Sequence, residues 1–472
     1  MTWLLDTLSL HALNKPELIA LEDENQRLGY RALLMAVDAM TMRLKRAGVS
    51  CLALHGDNSV AWVIADLAGQ QAHCVVVPVP TFFSAQQVEH LYRTAGVDAI
   101  YQADTDSLQV RDATAVSLPG ACSKITFTSG STGQPKGVCL STVQQRSTVV
   151  ALAQRVSRHA GDRHLCVLPL ATLLENVAGV YLPLYLGASV VLRASVMLGF
   201  TGSSQINPFL LFQTLNSVRP QSLILVPELL RLLVLMAEKG LPVPDSLRFI
   251  AVGGGKVDPL LVERAHALGL PAYEGYGLSE CGSVVSLNVP GDNRPGCAGK
   301  PLSHVQVTIS GHGEIQVSGS LMSGYLGEEP ASASWATGDL GVVDREGFLR
   351  VSGRRKNLLI SSYGRNINPE WVESVCQAED ALRAVVVFGD GKPALSAVIV
   401  PMPGATQEKI VAAVARINST LPDYARIHHW ALAAEGFTAE NGLATANGRP
   451  RRDAIFNTYY QALRDAETCV TH

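Results

Sequence analysis

The sequence predicts an α/β protein built from two domains. Its 472 residues exceed what one simple hydrophobic core usually accommodates. Short apolar segments alternate with helical segments in the first 300 residues, and later segments become short, β-branched and punctuated by glycine. We therefore expect a large N-terminal domain, residues 1–352, of parallel-type sheets covered by helices, plus a small β-barrel-like part. Residues 353–472 are expected to form a smaller α+β C-terminal domain.

The strand and helix alternation is clearest near the start of the chain. Residues 30–47 show helical periodicity, and the predicted helix ends at Gly48. After it, "CLALHG" predicts a buried strand, "SVAWVIADLAGQQA" predicts a helix and "CVVVPVP" predicts a second strand. The pattern returns at "SLILVP", "ELLRLLVLMAEKG" and "SLRFIAVGGG". Such alternation is typical of a parallel sheet covered on both faces.

A change of pattern near Gly353 marks the predicted domain boundary. Before it, "VQVTIS", "GEIQVSG" and "GFLRVSG" are short strands that favour antiparallel pairing. After it, "PEWVESVCQAE", "LRAVVVFG" and "ALSAVIVP" return to a mixture of helices and strands. The C-terminal piece, at roughly 120 residues, has the size of an independent domain.

Composition excludes several classes of protein. Apolar residues make up 47% and charged residues 17% of the chain, and the formal net charge is −3, so neither disorder nor a nucleic-acid partner is predicted. Nine cysteines without a C-x-x-C pair suggest free thiols in a reducing compartment. The sequence starts without a signal-peptide pattern and contains no apolar run of about 18 residues. We expect a cytoplasmic enzyme without a membrane span.

The segment "TFTSGSTGQPKG", residues 126–137, combines three glycines, five hydroxyl side chains and Lys136. It lies between two predicted strands, "SKITF" and "GVCLS", and it lacks the G-x-x-x-x-G-K-[ST] spacing of a P-loop. Glycines allow backbone N–H groups to converge on an anion, and the hydroxyls and the lysine add donors. A polyphosphate is the natural ligand. Composition alone would equally suit a flexible linker.

The order of residues in this segment resembles the phosphate-loop signature of the adenylate-forming superfamily, T-S-G-S-T-G-x-P-K-G. That superfamily includes acyl-CoA synthetases, firefly luciferase and peptide-synthetase adenylation domains. Further segments resemble its other motifs: "YGLSE" (276–280), "GEIQVSGSLMSGYL" (313–326), "WATGDL" (335–340), a hinge segment (344–373) and a C-terminal loop (437–452). The stretches "LPLATLLENV" and "FTAENGL" look most like fatty acyl-CoA synthetases.

The resemblance implies a reaction in two halves. A carboxylate attacks the α-phosphate of ATP, which releases pyrophosphate and forms an acyl-adenylate. A thiol then displaces AMP. The implied small molecules are a carboxylic acid, ATP, Mg²⁺ and CoA, or the pantetheine of an acyl carrier protein. Two alternatives stay open: transfer of the acyl group to a carrier protein or an amine, and a weakly catalytic protein that binds acyl-adenylates or nucleotides.

The resemblance also implies the residues that hold ATP. Thr128 and Glu280 belong to the expected catalytic set, and Glu280 is the expected Mg²⁺ ligand. Asp339 would accept both ribose hydroxyls, with Arg354 as its paired cation. The remaining expected ATP-binding residues are Ser129, Gly130, Ser131, Thr132, Gly133 and, secondarily, Lys136 for the β- and γ-phosphates, Ser279 for the α-phosphate, and Tyr276, Gly277, Gly253, Gly254 and Gly255 around the adenine. The triple glycine could instead form only a turn.

The hinge and the C-terminal loop contain three further expected residues. Lys356 occupies the hinge position, where the resemblance implies a mobile C-terminal domain that swings between an adenylating and a thioester-forming orientation. Gly364 would face the incoming thiol. Arg449 stands where the superfamily usually has a catalytic lysine. Because a guanidinium is wider and planar, Arg449 would either do the same work slightly displaced or make adenylation slow.

The acyl pocket is expected around Thr172 and Glu175. Thr172 stands where acyl-CoA synthetases commonly have histidine in P-L-x-H-x-x-E. Amino-acid-activating relatives place an aspartate here, and this chain has none. Since an unpaired buried ammonium is costly, an α-amino acid substrate is not expected. Nearby apolar segments suit a hydrophobic acid.

Overall fold

Two large mixed sheets, each with parallel strands at its centre, form the framework of the N-terminal domain. The computed structural model describes residues 3–128, 135–201, 205–362, 365–445 and 448–468. The α-helices of this part of the chain are α1 (Trp3–Asn14), α2 (Tyr30–Arg46), α3 (Val60–Gln71), α4 (Ala85–Ala95), α5 (Thr142–Val156), α6 (Leu182–Leu186), α7 (Pro208–Val218), α8 (Pro227–Glu238), α9 (Pro259–Ala267), α10 (Pro369–Cys376), α11 (Gln407–Thr420) and α12 (Arg452–Thr468). A π-helix (Glu175–Tyr181) precedes α6, and short 3₁₀ helices span Ser279–Cys281, Arg355–Asn357 and Asp423–Ala425.

The strands are β1 (Ile19–Glu22), β2 (Arg27–Gly29), β3 (Cys51–His55), β4 (Val75–Pro78), β5 (Ala99–Gln102), β6 (Ser107–Val110), β7 (Lys124–Thr128), β8 (Lys136–Leu140), β9 (Arg163–Leu165), β10 (Ser189–Val191), β11 (Phe200–Thr201), β12 (Gln205–Ile206), β13 (Ser222–Leu225), β14 (Phe249–Val252), β15 (Ala272–Tyr276), β16 (Ser286–Leu287), β17 (Lys300–Pro301), β18 (Val305–Ile309), β19 (Glu314–Gly319), β20 (Gly324–Tyr325), β21 (Ser334–Val343), β22 (Leu349–Arg354), β23 (Leu359–Ile360), β24 (Asn366–Ile367), β25 (Leu382–Phe388), β26 (Leu395–Pro401) and β27 (Ile427–Leu432).

The sheet topology confirms the predicted fold class. A nine-stranded sheet has the order β17-β16-β15-β14-β13-β9-β10-β1-β2, and its central strands are parallel. A seven-stranded sheet has the order β20-β8-β7-β4-β3-β5-β6, with β3 parallel to both β4 and β5. The antiparallel sheet β18-β19-β21-β22 corresponds to the expected small β part. The C-terminal domain contains the sheet β25-β26-β27, packed against α10, α11 and α12.

Strand β22 runs through the predicted domain boundary. It pairs with β21 as far as Arg354, which lies opposite Asp339. A boundary between residues 352 and 353 therefore falls inside this strand, and the division into 1–352 and 353–472 stays a prediction. No helix within the described residues has both the length and the apolar character needed to cross a bilayer.

A fully buried ion pair connects β7 to the helices behind it. Lys124 Nζ donates to Asp66 Oδ1 at 2.8 Å and to the Tyr181 hydroxyl at 2.7 Å, and it also contacts Asn176 Oδ1. Asn176 Nδ2 and the Tyr181 hydroxyl both donate to Asp66 Oδ2. Burial lowers the pKa of Lys124, and the Asp66 carboxylate opposes that shift. Because each member of this group has several hydrogen-bond partners, the group holds β7 in place against α3 and the π-helix. Strand β7 ends at Thr128.

Candidate functional site

A cleft between the two domains forms a large cavity, about 3090 Å³ in volume. Residues of both domains line it. Those with an expected ligand-binding role are Thr128, Lys136, Thr172, Gly253, Gly254, Gly255, Tyr276, Gly277, Ser279, Glu280, Asp339, Arg354 and Arg449. Segments more than 300 residues apart in sequence therefore meet at one site, as a nucleotide and a second substrate would require.

Asp339, Tyr276 and Arg354 form a hydrogen-bonded group on the cleft wall. The buried Asp339 carboxylate accepts the Tyr276 hydroxyl on Oδ2 at 2.6 Å and pairs with Arg354 Nε through Oδ1 at 2.9 Å. Arg354 Nη1 also donates to Thr337 O at 3.0 Å. Burial raises the pKa of Asp339, and Arg354 opposes the shift. The β21–β22 pairing produces this contact, because it sets Asp339 opposite Arg354.

Glu280 lies in the 3₁₀ helix that follows β15. Its Oε1 accepts the Tyr325 hydroxyl at 2.7 Å, which orients the carboxylate on the cleft wall. Lys136 lies over the Tyr325 ring, 4.9 Å from the centroid, and pairs with Glu328 at 2.9 Å. Tyr325 therefore links Glu280 to the strand that leaves the phosphate loop. Tyr325 was not among the expected site residues, because its contact with Glu280 is made across 45 residues and has no local sequence signal.

Strands β7 and β8 flank the expected phosphate loop, and the prediction of a strand on each side of it is confirmed. They pair in antiparallel register from Lys124 opposite Leu140 to Thr128 opposite Lys136. Thr128, at the end of β7, lines the cleft. The remaining loop residues with expected phosphate contacts lie outside the described residues: Ser129, Gly130, Ser131, Thr132 and Gly133.

Backbone conformation and packing explain why glycine stands at two positions with an expected role in ATP binding. Gly254, which follows β14, has φ +84°, a conformation that favours glycine. A Cβ atom at Gly277 would lie 1.7 Å from Ser283 O, so the turn after Tyr276 closes only around glycine. Gly277 is therefore required for packing within the turn, independently of any ligand.

Arg449 reaches the cleft from the C-terminal domain. Its Nη2 donates to Gly254 O at 3.0 Å, and its side chain retains solvent exposure. Its loop is held by Thr445, whose N–H donates to Arg449 O at 2.7 Å and whose Oγ1 accepts Arg449 N–H at 3.2 Å. Asp339 and Glu280 lie near enough to interact electrostatically with the guanidinium. The structure thus brings Arg449 to the same site as the N-terminal candidates.

The structure describes one of the two hinge-region candidates, Lys356. Lys356 is exposed in the 3₁₀ helix Arg355–Asn357 and lines the cleft where the two domains join. Gly364 lies outside the described residues.

Glu175 is not among the residues that line the cleft, and its expected place in the acyl pocket stays a prediction. It is fully buried in the π-helix, where Oε2 accepts Leu168 N–H at 3.1 Å and Oε1 lies 3.2 Å from His164 Nε2. His164 is on β9, so this contact joins the start of the π-helix to the nine-stranded sheet. His164, Glu175 and Cys166 lie together and are all buried. Thr172, three residues earlier, does line the cleft.

Two further ionisable residues of the cleft were missed. Glu274, on β15, has its pKa raised to about 7 by burial, and Lys256 opposes the shift. Burial lowers the pKa of Lys256, whose Nζ donates to Ser352 O at 3.3 Å. Neither residue stands in a motif that resembles the superfamily, so the sequence offered no signal for them.

Known proteins share both the sequence and the fold of this chain. The model of the AMP-binding enzyme family matches residues 8–326, and that of the AMP-binding enzyme C-terminal domain matches residues 356–468. The chain is 30% identical to the 2-succinylbenzoate–CoA ligase of Bacillus subtilis over 325 residues, 65% of this chain and 63% of the relative. It is 29% identical to the enzyme of the same name from Bacillus velezensis over 425 residues, 80% of this chain and 83% of the relative.

Similarity of fold extends over nearly the whole chain. The O-succinylbenzoate coenzyme A synthetase of Bacillus subtilis, solved with AMP, superposes with a TM-score of 0.77 at 24% identity, covering 95% of this chain and 97% of that chain. By contrast, the match to a long-chain-fatty-acid–CoA ligase of Mycobacterium bovis covers 32% of this chain, at 37% identity. The comparisons therefore give the fatty-acyl resemblance less support than the superfamily itself. The chain belongs to the AMP-binding enzyme family.

Proposed function

We propose that this protein is an AMP-forming acid–thiol ligase, which activates a carboxylic acid with ATP and transfers the acyl group to CoA. The observation that carries the proposal is the meeting of Asp339, Glu280 and Arg449 in one interdomain cleft. The relatives named 2-succinylbenzoate–CoA ligase support it. In the first half-reaction a carboxylate oxygen attacks the α-phosphorus and pyrophosphate leaves. In the second, the CoA thiolate attacks the acyl carbon and AMP leaves.

Each half-reaction depends mainly on positioning and on neutralising phosphate charge. Asp339, held by Tyr276 and Arg354, accepts the ribose hydroxyls, and Thr128 donates to the polyphosphate. Glu280 fits a hard cation, because its carboxylate is oriented on the cleft wall by Tyr325. The Mg²⁺ that Glu280 would hold supplies charge neutralisation of the phosphates.

We infer that Arg449 supplies positive charge to the first half-reaction. It enters the cleft beside Gly254 and near the Asp339 and Glu280 carboxylates. A carboxylate substrate and an α-phosphate approaching each other there are both anionic. A guanidinium between them reduces their repulsion.

The acid is proposed to have an uncharged, hydrophobic body. Cavity-lining residues between positions 152 and 188, a range that the structure describes in full, include no lysine, arginine, aspartate or glutamate. Most are leucine, valine, alanine or proline, with Thr172 as one of the few polar groups. His164 also lines this wall, and its Nε2 is paired with Glu175 Oε1. Because the wall offers no lysine or arginine to a second carboxylate, we expect poor use of dicarboxylic acids such as 2-succinylbenzoate.

A panel assay tests the proposal. Octanoate, benzoate, anthranilate and 2-succinylbenzoate are each incubated with ATP and Mg²⁺, with and without CoA, and pyrophosphate and acyl-CoA are measured. We expect pyrophosphate release with a monocarboxylic acid and conversion to acyl-CoA when CoA is added. Acyl-adenylate that persists in the presence of CoA would indicate a carrier protein or an amine as acceptor. A protein that binds AMP but turns over none of the acids would contradict the ligase assignment for these substrates.

A further inference from the structure

A buried arginine of the N-terminal domain holds the C-terminal domain by its main chain. Arg231, on α8, is only 8% exposed. Its Nη2 donates to Glu379 O at 2.6 Å and also to Leu382 O, and its Nη1 donates to Arg383 O at 3.3 Å. All three acceptors are main-chain carbonyls of the other domain. A contact of this kind fixes orientation as well as distance, because a planar guanidinium donates only in fixed directions.

The three carbonyls lie close together in sequence: Glu379 is in the turn that connects α10 to β25, and Leu382 and Arg383 are the first two residues of β25. The turn follows the C-terminal end of α10, where helix carbonyls carry partial negative charge. It also leads into an edge strand, and the β25–β26 register shifts between Leu382 and Ala384, where Arg383 O meets Arg231. The turn therefore presents several carbonyls in one direction, and a cation is the natural partner for them.

A second arginine, Arg264 on α9, also binds this turn. Arg264 Nη1 donates to Ala378 O at 3.1 Å, and its Nη2 lies 3.5 Å from Asp380 Oδ1. The same side chain is held in a two-point pair by Glu238 of α8, at 2.9 and 2.8 Å. Arg264 is more exposed than Arg231, so its contribution to docking should be the smaller one.

Helix α8 connects the contact between Arg231 and the C-terminal domain to the position of Arg449. Val226, the residue that precedes α8, lies against Gly254: a Cβ atom on Gly254 would be 3.5 Å from Val226 Cγ1. Gly254 O is the acceptor of Arg449. Arg231 follows Val226 by five residues, about 7.5 Å along the helix axis. One short, rigid helix thus separates the point where the C-terminal domain is clamped from the point where Arg449 enters the cleft.

We propose that Arg231 is a positioning residue for the nucleotide half-reaction, which fixes the C-terminal domain on α8 so that Arg449 reaches the cleft beside Gly254. Arg231 touches the C-terminal domain and acts through Arg449, so its effect on chemistry should vanish when Arg449 is absent. The kinetic consequence rests on the proposed ligase function. The docking itself does not.

Docking is tested by hydrogen–deuterium exchange on the full chain without ligands. We expect Arg231→Met to accelerate exchange in residues 377–383 by about tenfold, because the turn loses its cover. Arg231→Lys should give an intermediate effect, since an ammonium keeps the charge and loses the planar fork. Arg219→Met is the matched control: Arg219 pairs with Asp245 on the exposed surface and does not line the cleft. Wild-type exchange in Arg231→Met would overturn the proposal.

The link to Arg449 is tested by a double-mutant cycle on pyrophosphate release, with octanoate or benzoate as the probe acid. Arg231→Met should slow release on the order of 10- to 100-fold, the cost of a small misplacement in such a site. In the Arg449→Ala background, the same change should have almost no further effect. Equal slowing in both backgrounds would overturn the proposal. If the wild type releases no pyrophosphate with either acid, the ligase function fails for these substrates, and the exchange experiment alone decides the role of Arg231.

Discussion

Replacing Asp339 by asparagine should weaken AMP binding on the order of 10- to 100-fold. In the structure the carboxylate is held by Tyr276 on one oxygen and Arg354 on the other. Asparagine keeps one acceptor and places an N–H₂ group where the Tyr276 hydroxyl now donates. The change therefore removes at least one charge-assisted hydrogen bond to a ribose hydroxyl, worth about 1.5–3 kcal/mol. Each 1.4 kcal/mol is a tenfold change in affinity.

Calorimetric titration with AMP measures this effect without knowledge of the acid. The matched control is Asp344→Asn. Asp344 lies in the same β21–β22 hairpin, pairs with Arg294 and does not line the cleft. We expect control affinity equal to that of the wild type. Unchanged AMP affinity in Asp339→Asn, with both proteins folded, would refute the ribose assignment.

The pH dependence of the same titration gives an independent check. Burial raises the pKa of Asp339 above that of an ordinary aspartate. Protonation on acidification removes the charge that accepts the ribose hydroxyls. AMP affinity should therefore be highest above this raised pKa and decline as the pH falls through it, whereas Asp339→Asn should lack that decline.

Four further changes test other parts of the structure. Glu280→Ala should abolish Mg²⁺-dependent pyrophosphate release while the thermal unfolding midpoint stays near that of the wild type; activity retained at limiting Mg²⁺ would place the metal elsewhere. Arg449→Lys should speed pyrophosphate release if the guanidinium is poorly placed, and slower release would show that arginine is the working cation. Lys124→Met should lower the free energy of unfolding by about 3–5 kcal/mol in urea titrations, because it leaves Asp66 buried and unpaired, and adding Asp66→Asn should recover most of the loss. Lys356→Pro should spare pyrophosphate release and slow thioester formation, because its fixed φ opposes rotation at the hinge; equal loss of both would contradict the hinge assignment.

Much of the candidate site could be anticipated because its residues stand in recognisable motifs. Tyr276 and Glu280 belong to "YGLSE", and Asp339 to "TGDL", and the structure brings all three to one cleft. The strand and helix alternation also predicted the parallel pairing of β3, β4 and β5, since apolar periodicity reports which faces are buried. These features depend on local sequence.

The features that were missed depend on contacts between distant segments. Arg231 lies in "ELLRLLVLMAEKG", which predicts a helix but cannot indicate that another domain covers this charge. Hairpin β1–β2 joins the nine-stranded sheet through β10, some 170 residues away. Glu175 was placed at the acyl pocket by the resemblance of its segment to P-L-x-H-x-x-E, and such a motif does not reveal a π-helix. Its i→i+5 geometry is stabilised by tertiary partners on both sides.

The π-helix Glu175–Tyr181 sets a strict limit on changes in chain length. At one end Glu175 contacts His164 on β9 of the nine-stranded sheet. At the other end Tyr181 contacts Asp66 on α3 and Lys124 on β7 of the seven-stranded sheet, so seven residues bridge the two large sheets. Deleting one residue would rotate every later side chain about the helix axis relative to Glu175. Tyr181 would then point away from its partners. Chimaeras that exchange this segment with relatives must therefore preserve the number of residues between these anchors, even where they change the residues themselves.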